Sequence, residues 1–240
     1  MIDAAVAESQ RPNSSFKHFV YSSVLGTQHR NLMQHDLKSR VEERLLLSPL
    51  NYTILQPTNF MDVFPIAAIA GMQDSDSEIE YRWNLFNPYI PNSLIALKDL
   101  AEAAARVLLE RETHYLAQYP LCSTLPVANV DVIKIIAKRL GKKITVPTPS
   151  IEEGVDKTLD LLYGGRQNGV YTGEQVDLDL RWPAAQGDLR PDITRDEAER
   201  LVLFYSRRGL KGSPNVLRWL LGREPTSVEA WIEGELNEKF

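Results

Sequence analysis

Residues 16–65 read FKHFVYSSVLGTQHRNLMQHDLKSRVEERLLLSPLNYTILQPTNFMDVFP, and this stretch decides the fold class. HFVYSSV (residues 18–24) is apolar on both sides of the chain and rich in β-branched and aromatic residues, the pattern of a strand buried on both faces in a parallel sheet. A helix is expected over residues 31–48, with Leu37, Val41 and Leu45 as its apolar stripe and Met33 one step earlier. Pro49 ends it. TILQP (residues 53–57) is a second short apolar strand closed by a proline, and a further helix is expected from about Asn59. Strand, helix, strand within about forty residues is a right-handed βαβ crossover.

Working outward, residues 2–9 read as the end of a short helix and residues 11–15 as a turn. A helix over 99–111 carries an alanine-rich face (Ala101, Ala103, Ala104, Ala105) suited to close packing. Candidate strands at 119–123 and 143–147 flank a helix over 131–140 that Gly141 stops. Another helix covers 151–163. Residues 164–192, rich in Gly, Pro, Asp and Gln, read as a long loop. Three helical patches follow at 194–208, 214–221 and 226–237. The expected organisation is a sheet-bearing part over 1–70, an α/β region over 71–163, the loop over 164–192 and a helical extension over 193–240.

The chain has 240 residues, 43% hydrophobic and 25% charged, which excludes a disordered or collagen-like polymer. Its net charge of −5 provides no broad positive field for a phosphate backbone, so no nucleic-acid partner is expected. A single cysteine, Cys122, makes neither an internal bridge nor a cysteine metal cage. The reading is metal-free and cytoplasmic. No apolar run of about 18 residues and no secretory leader are found, so no membrane partner is expected either.

Residues 16–65 resemble the NmrA-like family of atypical short-chain dehydrogenase/reductases, in particular members from filamentous fungi. The match continues more loosely through DLAEAAARVL (residues 99–108) and KRLGKKITV (138–146). The tail YSRRGLKGSPNVLRWLLGREPTSVEAWI is similar to an extension of fungal members. The resemblance implies a Rossmann domain that binds NADP or NAD, and a smaller substrate-side α/β region. On that alignment residues 18–24 are the fifth strand and 53–57 the sixth. The strands carrying the dinucleotide crevice, about 100 residues, are then missing from the parallel sheet. None of the thirteen glycines forms a GxGxxG or GxxGxxG turn after a strand. A lost upstream exon, a degraded gene copy, or a sheet completed by another chain would each account for this. An apolar strand edge left open at 18–24 invites pairing or aggregation.

In the wider superfamily a strand-end serine and a Tyr-x-x-x-Lys pair move a proton at the substrate oxygen, the lysine lowering the tyrosine pKa. Here Ser22 and Ser23 stand at the strand end and Lys38 matches the lysine, but Gln34 occupies the tyrosine position. A glutamine amide has no usable proton. His35, three residues before Lys38, is the nearest titratable substitute as acid; its bland alternative is a half-exposed helix residue. Lys38 would otherwise be a solvated partner of Glu42, and Ser22 and Ser23 satisfied strand-end hydroxyls. Pro57, Thr58, Asn59 and Phe60, after the sixth strand, are implied with Ser22 and Lys38 to line the cofactor side. The alternative there is a strand terminator with Phe60 and Met61 in the core.

Asp99 reads as a helix N-cap. Trp83, Trp219 and Trp231 read as core or interdomain anchors, and Tyr205, Arg207 and Arg208 as a polar helix face. Lys138, Arg139, Lys142 and Lys143 surround a helix C-terminus, where cations suit the dipole.

The function implied is an NmrA-type NAD(P)H-dependent oxidoreductase acting on a small organic substrate in fungal secondary metabolism, impaired in cofactor binding. A non-catalytic NADP-sensing regulator and an inactive relative are the alternatives. A homodimer and a regulatory protein partner both stay open.

Overall fold

The computed structural model describes residues 1–73, 78–83, 85–163 and 191–239. After helix α1 (Ile2–Gln10), strand β1 (Phe19–Ser22) runs into helix α2 (Met33–Leu46) and then strand β2 (Tyr52–Pro57). β1 and β2 pair in parallel with Phe19 opposite Tyr52 and Ser22 opposite Leu55. The βαβ crossover of the sequence is thus present. A third parallel strand comes from much later in the chain. Following the short elements β3 (Asn59–Phe60), α3 (Ile66–Ala70), β4 (Ile79–Glu80), β5 (Pro91–Asn92) and β6 (Leu94–Ile95), helix α4 (Leu97–Glu110) leads into β7 (Ala117–Leu121). β7 pairs with β2, Thr53 opposite Ala117, giving the order β1-β2-β7. The sheet therefore draws on chain both before and after residue 70.

Side chains alternate across a strand, so this sheet has two different faces. Phe19, Tyr21, Tyr52 and Ile54 pack with Ala5 of α1 and Leu45 of α2. Val20 and Leu55 pack on the other side with Ala103 and Val107 of α4 and with Leu217 and Leu220 of α8 (Asn215–Leu221). The architecture is α/β with helices on both faces. The N–H groups of Phe19, Ser23 and Leu25 donate to the β2 side. By the two-residue period, those of Val20 and Ser22 face the unpaired edge of β1.

A second core lies beyond the strand ends. Met61, Phe64, Ile66 and Ile69 meet Trp83, Ile133 and Ile136 of α5 (Asn129–Arg139), and Trp231 and Ile232 of α9 (Val228–Lys239). Short strand pairs frame it: β3 with β6, β4 with β9 (Ile144–Thr145), and β5 with β8 (Val127–Ala128), the last antiparallel. Helices α6 (Ile151–Tyr163) and α7 (Pro191–Arg207) pack through Val155, Ala198 and Val202.

The chain leaving α7 crosses the C-terminal end of the sheet as a strap. Leu210 N–H donates to Asn92 Oδ1 at 2.8 Å, Ser93 N–H to Leu210 O at 2.8 Å, and Gly212 N–H to Ser93 Oγ at 2.9 Å. Both glycines of the strap are required by space. Gly209 has φ +67° and a Cβ there would collide with Pro91 O; a Cβ on Gly212 would collide with Cys122 Sγ.

Several expectations need correction. Leu37 is 43% exposed, and α2 buries His35, Glu42 and Leu45 instead, because the two polar side chains find partners in the loop and strand beneath them. No helix begins at Asn59; it opens the two-residue strand β3, and the first α-helix after it is α3. Asp99 is not an N-cap. Ala96 holds that position, and Asp99 sits fully buried inside α4. Its carboxylate accepts from Ser123 Oγ (2.7 Å), Thr226 N–H (2.7 Å), Thr226 Oγ1 (2.9 Å) and Arg223 (3.0 Å), tying α4 to the segment before α9. Trp83 and Trp231 are buried as expected, whereas Trp219 is largely exposed over Tyr119 and His114. Tyr205 is buried, not part of a polar face. The loop expected over 164–192 lies outside the described residues up to 190, and 191–192 belong to α7. Among the described residues no helix is long and apolar enough to cross a membrane.

Candidate active site at the C-terminal end of the sheet

In open parallel α/β sheets ligands bind beyond the carboxyl ends of the strands. Here those ends are tied together by backbone and side chain. Ser23 N–H donates to Leu55 O (2.7 Å), Leu25 N–H to Pro57 O (2.9 Å) and Thr58 N–H to Leu121 O (3.2 Å). Thr58 Oγ1 donates to Ser93 O at 3.0 Å, and Asn59 Nδ2 reaches Asn92 Oδ1 at 3.4 Å.

α2 presents a polar face to this end. His35, Lys38, Glu42 and Leu45 recur at spacings of three and four and so share one side of the helix. Glu42 is buried; Thr27 Oγ1 donates to one carboxylate oxygen and Gln56 Nε2 to the other, each at 2.9 Å. One side chain thereby clamps the loop after β1 to the end of β2. Lys38 Nζ donates to Ser22 O at 3.0 Å and lies 5.1 Å above the Tyr21 ring. Half-burial pushes the Lys38 pKa down, partly opposed by the Glu42 charge. The alternative reading of Lys38 as an ion-pair partner of Glu42 is not met: Glu42 is taken by Thr27 and Gln56. Burial, and then Glu42, push the Tyr21 phenol up to about 12.

His35 is only 2% exposed, which corrects the half-exposed reading. Its Nδ1 donates to Gly26 O at 2.8 Å. Burial lowers its pKa; the Gly26 carbonyl opposes this, and His29 adds to it. Ser23 is buried, and its Oγ has no hydrogen-bond partner. Ser22 is exposed and contributes its carbonyl to Lys38.

A cavity of about 200 Å³ opens next to this face. Gln34 of α2 and Asn59 of β3 line it together with Leu85 and Phe86, Thr158 of α6, and Leu201, Val202 and Tyr205 of α7. Among the described residues no lining residue is charged. Of the residues singled out in the sequence, Gln34, Asn59 and Tyr205 reach the cavity, the last read there as part of a polar helix face. Ser22, Ser23, His35, Lys38, Pro57, Thr58 and Phe60 do not line it; Phe60 packs in the core with Leu55 and Ile95. Thr158 donates to Gly154 O at 2.8 Å and is satisfied. Sequence reasoning missed the contribution of α7. Ala198, Leu201, Val202 and Tyr205 fall at i, i+3, i+4 and i+7, a stripe that places Tyr205 on an inward face.

Known structures share this architecture. The NADPH-dependent quinone oxidoreductase of Escherichia coli in complex with NADPH superposes with a TM-score of 0.67 at 19% identity, over 98% of this chain and 69% of that one. The fold is Rossmann-like. The triphenylmethane reductase of Citrobacter sp. complexed with NADP(H) follows at a TM-score of 0.64 and 17% identity (97% and 68% of the two chains). A nucleoside-diphosphate-sugar epimerase from Staphylococcus aureus gives 0.60 and 15% (97% and 69%). No protein-family model and no curated protein matches the chain.

The pyrophosphate of a dinucleotide needs an open glycine turn between a strand and a helix N-terminus. Gly26, with φ +78°, is the described positive-φ glycine between a parallel strand and the next helix. The space above it is filled by the His29 ring (3.0 Å from a Cβ position) and Leu210 (3.3 Å). The other described positive-φ glycines, Gly141, Gly209 and Gly222, follow helices. The described residues do not fit the phosphate part of the cofactor.

Proposed function

We propose that this chain is the substrate-side part of an NAD(P)H-dependent oxidoreductase scaffold, and that the cavity at Gln34 and Asn59 is its small-molecule site. The observation that carries the reading is a cavity at the ligand-binding end of a parallel Rossmann-like sheet, with no charge among its described lining residues. In it the Gln34 and Asn59 amides bind and orient a polar group, while Leu201, Val202 and Phe86 exclude water. Glu42 and Lys38 keep the loop after β1 and the end of β2 in register beside it. Lys38, His35 and Ser23 remain candidates for the catalytic side, His35 as an acid, and Ser22, Lys38, Pro57, Thr58, Asn59 and Phe60 for the cofactor side. A place in fungal secondary metabolism rests on the sequence resemblance alone, and a cytoplasmic location on the single cysteine.

With the turn at Gly26 filled, the chain is impaired in holding a dinucleotide. Calorimetric titration with NADPH and with NADH is expected to give no binding at micromolar affinity. Micromolar affinity for either overturns the impaired reading. Gln34 favours a second reading, a non-catalytic sensor that acts on a regulatory partner or through a homodimer, because an amide delivers no proton. NADPH oxidation with any of a panel of small carbonyl compounds would remove that second reading.

A further inference from the structure

Among the described residues the cavity is lined by uncommitted polar groups and by no charge. Tyr205 is 8% exposed, and its ring lies 5.1 Å from Phe86 and 5.5 Å from Phe204. Among the described residues no hydrogen-bond partner meets its hydroxyl, although the residue is buried. A buried phenol normally finds a partner. The Gln34 side chain is likewise uncommitted among the described residues, and Asn59 uses one amide atom on Asn92. Three groups able to hydrogen-bond a ligand therefore line one small cavity.

We propose that Tyr205 is the specificity-determining residue of this cavity, donating its hydroxyl hydrogen to the carbonyl oxygen of an uncharged, single-ring aromatic ligand. The inference rests on the reading of the cavity as the small-molecule site. Size supports a single ring, since a cavity of about 150 Å³ takes a benzene molecule and this one measures about 200 Å³. Shape and polarity support an aromatic one: Phe86 and Tyr205 offer ring faces and edges, and Leu85, Leu201 and Val202 supply apolar contact. Among the described residues no charge lines the cavity, so a carboxylate or phosphate would be desolvated there with no countercharge. Burial raises the Tyr205 pKa, so the phenol stays protonated and serves as donor across the neutral range. Gln34 offers its amide N–H groups to the same oxygen.

The test uses the full chain and ligand-observed NMR titration with benzamide, benzoate and toluene. Benzamide is expected to bind, with benzoate at least tenfold weaker. Tyr205→Phe removes one hydroxyl and keeps the ring. It is expected to weaken benzamide about tenfold and to leave toluene, which has no acceptor, unchanged. Leu201→Trp fills the cavity and is expected to abolish binding of all three, with circular dichroism checking that both variants fold. Unchanged benzamide affinity in Tyr205→Phe overturns the proposal, as does an equal loss for toluene or benzoate binding as tight as benzamide. If none of the three binds the unmodified chain, or if Leu201→Trp leaves binding intact, the reading of the cavity as a small-molecule site falls instead.

Discussion

Helices α2 and α4 are each fourteen residues long and cover opposite faces of the same three-stranded sheet, yet they bury different chemistry. α4 meets the sheet with Ala103 and Val107 and with half-buried Leu100 and Ala104, an apolar stripe broken only at its first turn by Asp99. α2 turns His35, Lys38 and Glu42 toward the strand ends and only Leu45 toward the core. A helix held by apolar burial serves packing alone. One that buries hydrogen-bonded polar groups fixes the positions of the loops those groups touch. The side of the sheet that needs precise loop geometry is therefore the α2 side, where Gln34 enters the cavity.

The sharpest way to break this contrast is at the polar exception on α4. Asp99→Ala leaves Ser123, Thr226 and Arg223 without their shared acceptor and is expected to destabilise the fold by about 3 kcal/mol, read by urea denaturation. Burial alone would raise the Asp99 pKa, but the hydrogen bonds from Ser123, Thr226 and Arg223 outweigh it and hold the carboxyl below its ordinary value. The stability it contributes is complete above the ordinary aspartate pKa of about 3.9 and is lost as pH falls further. On α2, Glu42→Ala is expected to cost about 2 kcal/mol, because Thr27 and Gln56 lose one acceptor each. Equal or greater loss than at Asp99 would reverse the order drawn between the two helices.

A smaller effect follows from pH. The folded His35 pKa lies below its ordinary value of 6.5, so the stability tied to neutral His35 is present above that pH and is lost as pH falls below it. His35→Gln is expected to flatten the fall in melting temperature between about pH 7 and pH 5, leaving the slope from His18, whose pKa burial also lowers. An unchanged slope would mean that His35 is not buried in solution. The least change is expected at Lys38→Met, below about 1 kcal/mol by the same denaturation assay, since a half-buried ammonium on one carbonyl adds little to stability.

Periodicity made much of this fold legible. β1, β2 and α2 lie where residues 16–65 place them, and Gly141 does follow the end of α5. It failed where a polar residue was satisfied by something distant in sequence. His35 and Glu42 look like surface residues until Gly26, Thr27 and Gln56 supply their partners. Asp99 looks like a cap until Arg223 and Thr226, more than a hundred residues later, close on it. The candidate site was half legible for the same reason. Gln34 and Asn59 lie in the recognisable stretch, whereas Tyr205 and Thr158 arrive from helices whose docking only the tertiary structure shows.

The strap of residues 209–212 passes between the last turn of α7 and the mouth of the sheet with a glycine at each end and the buried Leu210 between them. With no room for a methyl group at either glycine, the height at which Tyr205 hangs over the strands is gauged by the thickness of the polypeptide itself. Alanine at 209 or 212 would lift that ceiling as a unit, altering the cavity from a distance without touching any residue that lines it.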